Sequence, residues 1–174
     1  MSETFDEWVH SLHKHEDTEL AAGTLEFLRE LYDAAGPMRG DELEVALVAR
    51  KMDLARQGIE LLLADLRRTT DLREPNIELR VDDGVIIASY NGSYTAPPLY
   101  SLRAPEAICE IAENLRDHVV EALWTVWPLC PAHQVGLYAE PVAGRADWYC
   151  RSAQHSVDAI GQLRPSRGRT APVN

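Results

Sequence analysis

Residues 127–155 read WPLCPAHQVGLYAEPVAGRADWYCRSAQH, and the fold of the C-terminal part of the chain depends on how this stretch is read. Two of the chain's three cysteines and two of its six histidines fall in it, as Cys130, His133, Cys150 and His155. Their arrangement is C-x2-H-x16-C-x4-H. Thiolate and imidazole are the ligand types zinc takes in a tetrahedral set, and structural sites are often built from two of each. A two-residue gap lets one tight turn aim both side chains at a single point, and Pro131 stiffens that turn. The sixteen residues between the pairs suffice for a short hairpin turning near Ala143-Gly144. The region is poor in apolar residues, so a hairpin of this size has too little core to hold itself. A bound zinc supplies ~10 kcal/mol or more of apparent folding free energy in small domains. The expectation is therefore a structural Zn2+ on these four side chains, shielded by Trp127 and Trp148.

The segment resembles a zinc ribbon over about residues 128–163. Cys130-Pro-Ala-His133 is similar to a first knuckle with histidine as its second ligand, and Trp148-Tyr-Cys150 to the strand entering a second knuckle that ends at His155. It departs from the ribbon pattern in three ways. Both second ligands are histidine, the second gap is four residues rather than two, and no glycine follows either knuckle. Four protein ligands close the zinc shell, whereas a catalytic site keeps three and leaves room for a water. A zinc-dependent hydrolase would need His155 to swing away, with Glu140, Asp147 or Asp158 as general base. Zinc deaminases carry a glutamate two residues after the ligand histidine; here Val135 stands there, and H-E-x-x-H is also absent.

Upstream, the chain reads as helices. Phe5, Trp8, Val9 and Leu12 recur at helical spacing over residues 4–15. Thr18 is placed to cap a second helix with Leu25, Leu28, Leu31 and Tyr32 on one stripe, ended by Gly36-Pro37. Asp41 opens a third, with a break expected near Lys51–Asp53 and a strong helix after it carrying Ile59, Leu62, Leu63 and Leu66. IELRVDDGVIIASY (77–90) is two β-rich runs around Asp83-Gly84, a strong hairpin signal. Residues 89–98 read as a loop and domain boundary. Pro105 suits the first turn of a long helix over 105–126, which Pro128 closes.

The order of elements over residues 24–90, helix, helix, helix, hairpin, resembles a winged-helix domain. That resemblance makes residues 54–68 the recognition helix, with Arg56, Arg67 and Arg68 as candidate nucleic-acid contacts and Arg80 in the wing. Glu60 and Asp65 lie on the same helix, and winged helices also serve as protein-binding modules. The expected fold is mainly α with two small β-hairpins (α+β): a winged-helix-like unit over 1–95, a long helix and zinc-binding hairpin over 96–163, and a tail over 164–174.

The formal net charge of −11 opposes bulk adhesion to nucleic acid or anionic lipid. Twelve acids against three bases place most of it in residues 1–49, while residues 50–80 carry six acids and seven bases. No run of 18 apolar residues suggests a membrane span, the N-terminus lacks a signal-peptide layout, and the cysteine spacing suggests no disulfide framework. These point to a cytoplasmic setting. His10, His13 and His15 form H-x2-H-x-H, read as a solvated polar face rather than a second metal site. His118 reads as a hydrogen-bonded histidine at a helix edge, and Cys109 as a small buried hydrophobe. Phosphate-cradling loops and a nucleophile elbow are absent. The leading expectation is a non-enzymatic, zinc-stabilised adaptor or regulatory protein that binds another protein. A winged-helix DNA-binding regulator and a zinc-dependent hydrolase are the alternatives.

Overall fold

The computed structural model describes residues 3–12, 23–94 and 97–165. In chain order it contains α1 (Phe5–Leu12), α2 (Thr24–Ala35), α3 (Gly40–Thr69), β1 (Ile77–Asp82), β2 (Val85–Tyr90), β3 (Ser93–Tyr94), α4 (Ala104–Leu123), β4 (Tyr138–Val142), β5 (Arg145–Cys150) and β6 (His155–Ala159). The class is α+β, as expected. Among the described residues the strands form two antiparallel sheets, ordered β1-β2-β3 and β4-β5-β6.

Both expected hairpins are present. Asp83 and Gly84 take φ of 48° and 73°, so that Asp82 pairs with Val85. Two successive positive φ values are what a tight loop between right-twisted strands requires. Ala143 and Gly144 repeat the device at 50° and 78°, pairing Val142 with Arg145. Each hairpin gains a third strand that the sequence did not announce, β3 and β6. α2 stops at Gly36, φ 80°, whose N–H donates to the Tyr32 carbonyl at 2.8 Å.

Three expectations need correction. The break near Lys51–Asp53 does not occur; α3 runs unbroken from Gly40 to Thr69. Neither glycine nor proline lies between residues 41 and 57 to interrupt its hydrogen-bond ladder. Residues 24–90 therefore hold two helices and a hairpin, not three helices and a hairpin, and β3 extends that hairpin just beyond them. The inner face of 54–68, the supposed recognition helix, is buried at Leu54, Ala55, Gly58, Leu62, Asp65 and Leu66. Finally, α4 ends at Leu123 because Trp124 turns left-handed (φ 53°), three residues before the expected limit. The expected residues 13–15 of the first helix, the cap at Thr18 and the tail beyond Pro165 lie outside the described residues.

One buried cluster joins α3, α4, β2 and the C-terminal sheet through Leu62, Ile86, Ile111, Leu115, Val119 and Trp148. Gly58 sets the closeness of α3 and α4, since a Cβ there would lie 3.2 Å from Ile111 Cβ. A second, smaller cluster packs Trp8, Leu28 and Leu43 with Phe5 and Tyr32. In it Trp8 Nε1 donates to the Met38 carbonyl at 3.0 Å. Thus α3 serves both clusters. Among the described residues, no helix is long and apolar enough to cross a membrane.

Candidate metal centre

The first candidate pair, Cys130 and His133, sits on a loop closed by backbone hydrogen bonds. Cys130 N–H donates to the Val135 carbonyl at 2.8 Å, Gln134 N–H to the Cys130 carbonyl at 2.9 Å, and Leu137 N–H to the Pro128 carbonyl at 2.8 Å. The Trp127-Pro128 peptide leading into it is cis. The loop places a left-handed residue after His133, and Gln134 fills that position at φ 56°. The absent glycine is thus no obstacle: the Gln134 side-chain amide donates to the Pro131 carbonyl at 3.1 Å and holds the turn.

The second pair follows from strand register. Cys150 ends β5, His155 begins β6, and the ladder sets them directly opposite one another. Opposite residues in an antiparallel pair hold their Cβ atoms about 5 Å apart on one face. The four-residue gap is the loop that reverses the chain, with Gln154 at φ 51°.

The Sγ atoms of Cys130 and Cys150 and a ring nitrogen of each histidine all lie within 4.8 Å of one another. Cys130 Sγ is 3.3 Å from His133 Nδ1 and 3.6 Å from His155 Nε2. Cys150 Sγ is 3.6 Å from His133 Nδ1. Tetrahedral zinc, with Zn–S near 2.3 Å and Zn–N near 2.0–2.1 Å, sets sulfur and nitrogen about 3.6 Å apart, so the donor set fits. Both cysteines are fully buried, His155 is half-buried and His133 is exposed. His155 Nδ1 lies 3.1 Å from the Ser156 carbonyl. A proton on Nδ1 donated there leaves the Nε2 lone pair facing the cluster.

What docks this sheet on the helices was missed in the sequence. Asp65, counted above among the acids on a DNA-facing helix, is completely buried. It accepts Trp148 Nε1–H at 2.7 Å, Gly161 N–H at 2.7 Å and Leu163 N–H at 2.8 Å. Burial pushes its carboxyl pKa up; these donors and the Arg68 guanidinium pull against that. Its place between Leu62 and Leu66 on the apolar stripe was the available signal. Gly161 (φ 87°) comes so close to Leu61 that a Cβ would lie 2.5 Å from its Cδ2. From α4, Glu113 accepts Ala139 N–H at 2.6 Å, and Arg116 donates to the Leu137 carbonyl at 3.2 Å. Burial raises the Glu113 pKa. Trp127 and Trp148 pack edge to face, centroids 5.6 Å apart, and Trp127 Nε1 donates to Thr69 Oγ1 at 3.0 Å.

The three carboxylates weighed as general bases are all engaged. Glu140 pairs with Arg151, Asp147 with the Arg145 fork at 2.7 Å, and Asp158 with Arg164 at 2.8 Å. The Arg145 fork holds the Asp147 carboxyl below its usual range. The four candidate nucleic-acid contacts are engaged as well. Arg56 pairs with Asp53 at 3.1 Å, Arg67 with Glu74 at 3.1 Å, and Arg80 with Asp82 at 2.9 Å. Arg68 lies 3.7 Å from Asp65 and donates to the Gly161 carbonyl. His10 sits on α1, while His13 and His15 lie outside the described residues. His118 stacks on Tyr90 with centroids 5.5 Å apart. Cys109 is buried, which pushes its thiol pKa up to about 12. Comparison with protein-family models, curated proteins and solved structures finds no match.

Proposed function

We propose that Cys130, His133, Cys150 and His155 hold one Zn2+ in a closed structural site, and that the protein is a non-enzymatic, zinc-stabilised adaptor or regulatory subunit that binds another protein. One observation carries the metal reading: sulfur and imidazole nitrogen atoms from the 130–133 loop and from the paired ends of β5 and β6 stand at tetrahedral-edge spacing. Two thiolates with two imidazoles favour zinc over the hard cations. When bound, the ion cross-links the loop at 130–133 to the β5–β6 hairpin, the job the knuckles do in a zinc ribbon.

The non-enzymatic part rests on chemistry around the site. Four side chains complete a tetrahedral shell and leave no position for an activated water. The neighbouring carboxylates face arginines rather than a reacting group. The arginines that would meet phosphates are matched by acids, and the net charge of −11 opposes a polyanion.

Metal analysis of purified wild type beside Cys130→Ser and His155→Ala tests this. One zinc per chain in wild type, lost in both variants together with protection of the C-terminal sheet, is the expected result. Zinc retained in full by His155→Ala, with hydrolytic activity gained, overturns it.

A further inference from the structure

The two long helices end in opposite ways. α3 carries Arg67 and Arg68 in its last turn, whereas α4 has no base there. Instead Glu121 lies exposed in the last turn of α4, while Asp117, one turn earlier, is paired with Arg116 at 3.2 Å. The final carbonyls of a helix already hold roughly half a negative charge, so this end is a concentrated negative pole.

Directly beyond it Trp124 is 91 % exposed and Val126 51 % exposed. The other three tryptophans, Trp8, Trp127 and Trp148, are all buried. The residues on either side of Trp124 in the chain, Leu123, Thr125 and Val126, line a groove of about 630 Å³ together with Leu72, Ala122 and Leu129 among others. Two charged side chains also line it, Asp71 and Arg164, and Arg164 is paired with Asp158. An indole face attracts cations more strongly than any other side-chain ring, and tryptophan is among the residues most enriched where interfaces concentrate their energy.

We propose that Trp124, Val126 and this groove form the docking surface for a partner-protein segment that carries a lysine or arginine beside one or two apolar side chains. The cation lies over the Trp124 ring toward Glu121 and the end of α4; the apolar side chains fill the groove. Charge complementarity selects this occupant: an acidic segment would meet like charge at Glu121 and the helix end, and a second copy would bring a chain of net charge −11 against another. The assignment rests on the protein-binding reading above.

The test is selection of random twelve-residue peptides displayed on phage against the zinc-loaded full chain. Trp124→Ala and Glu121→Lys are the comparison proteins, checked for wild-type zinc content and unfolding temperature. Expected peptides hold Lys or Arg within four residues of an apolar side chain. They bind wild type at least tenfold more tightly than Trp124→Ala, bind Glu121→Lys more weakly than wild type, and shift the emission of the single exposed tryptophan to the blue. Peptides that bind Trp124→Ala equally well overturn this surface but leave the protein-binding reading standing. No enriched peptide at all overturns both. Acidic consensus peptides, a dimer abolished by Trp124→Ala, or binding seen only after residues 166–174 are deleted would each give the face to another occupant and overturn the proposal.

Discussion

The β1-β2-β3 sheet and the β4-β5-β6 sheet share strand number, antiparallel order and a two-residue first turn with positive φ at both positions, yet they are anchored by different forces. The first presses Ile86, Ala88 and Tyr90 into the main core, with Ile77 and Leu79 packed against it. The second contributes Ala139, Ala146, Trp148 and Cys150, small side chains apart from the indole. It compensates with directional contacts: Asp65 taking three donors, Glu113 on the Ala139 N–H, Arg116 on the Leu137 carbonyl, and the cysteine–histidine cluster. Apolar area fails gradually as it is trimmed. A buried polar network fails when one member is removed, because its remaining donors are left without acceptors.

That contrast is most sharply broken by stripping the metal. Chelation, or Cys130→Ser, should remove ~10 kcal/mol of apparent stabilisation and expose amides of residues 138–159 to hydrogen exchange while those of 77–90 stay protected. Equal loss in both sheets would erase the distinction. Next in size, Ile86→Ala should cost about 3 kcal/mol through a core cavity, read by urea unfolding with zinc content unchanged. Zinc loss from that variant would mean that the sheets do not fail separately. Asp65→Asn should cost about 2 kcal/mol. Asparagine keeps one acceptor oxygen, so an amide N–H would face either the Leu163 donor or the Trp148 and Gly161 donors. Near-ultraviolet circular dichroism should report the Trp148 change with zinc still bound. An unchanged spectrum and stability would remove Asp65 from the docking role.

The smallest effect concerns pH. Asp147 is fully buried, and the Arg145 fork lowers its pKa from the ordinary value of 3.8. A carboxyl lowered in the folded state contributes stability above its unfolded value and loses it as pH falls through the folded one. The gap in stability between wild type and Arg145→Ala should therefore be steady at neutral pH and close as the solution is acidified below 3.8. A gap that widens on acidification would contradict the pairing.

Much of this was legible in the chain. Asp83-Gly84, Ala143-Gly144 and Gly36-Pro37 act within a few residues of themselves, so local chemistry announces them. The four cluster residues declared themselves because cysteine and histidine at short spacing have few other uses. What stayed hidden was non-local or depended on continuity. β6 starts at a member of the cluster, His155, and HSVDA is too short to read as a strand by itself. The polar run around Lys51–Asp53 resembles a break, and only packing of Leu54 and Ala55 against the core shows it to be one face of a continuous helix. Asp65 looks solvent-facing beside Arg67 and Arg68 because the amides it accepts lie almost a hundred residues further on.

The thirty unbroken residues of α3 make it a ruler about 45 Å long. Leu43 engages the small aromatic cluster near its start, and Asp65 engages the second sheet near its end. Adding one amino acid midway would rotate these two engagements by about 100° relative to each other, so both could not be kept. Seven added residues make almost two whole turns and nearly restore the phase. Natural length variation in this helix should accordingly arrive in steps of whole turns, an inheritance pattern set by angular bookkeeping rather than by chemistry.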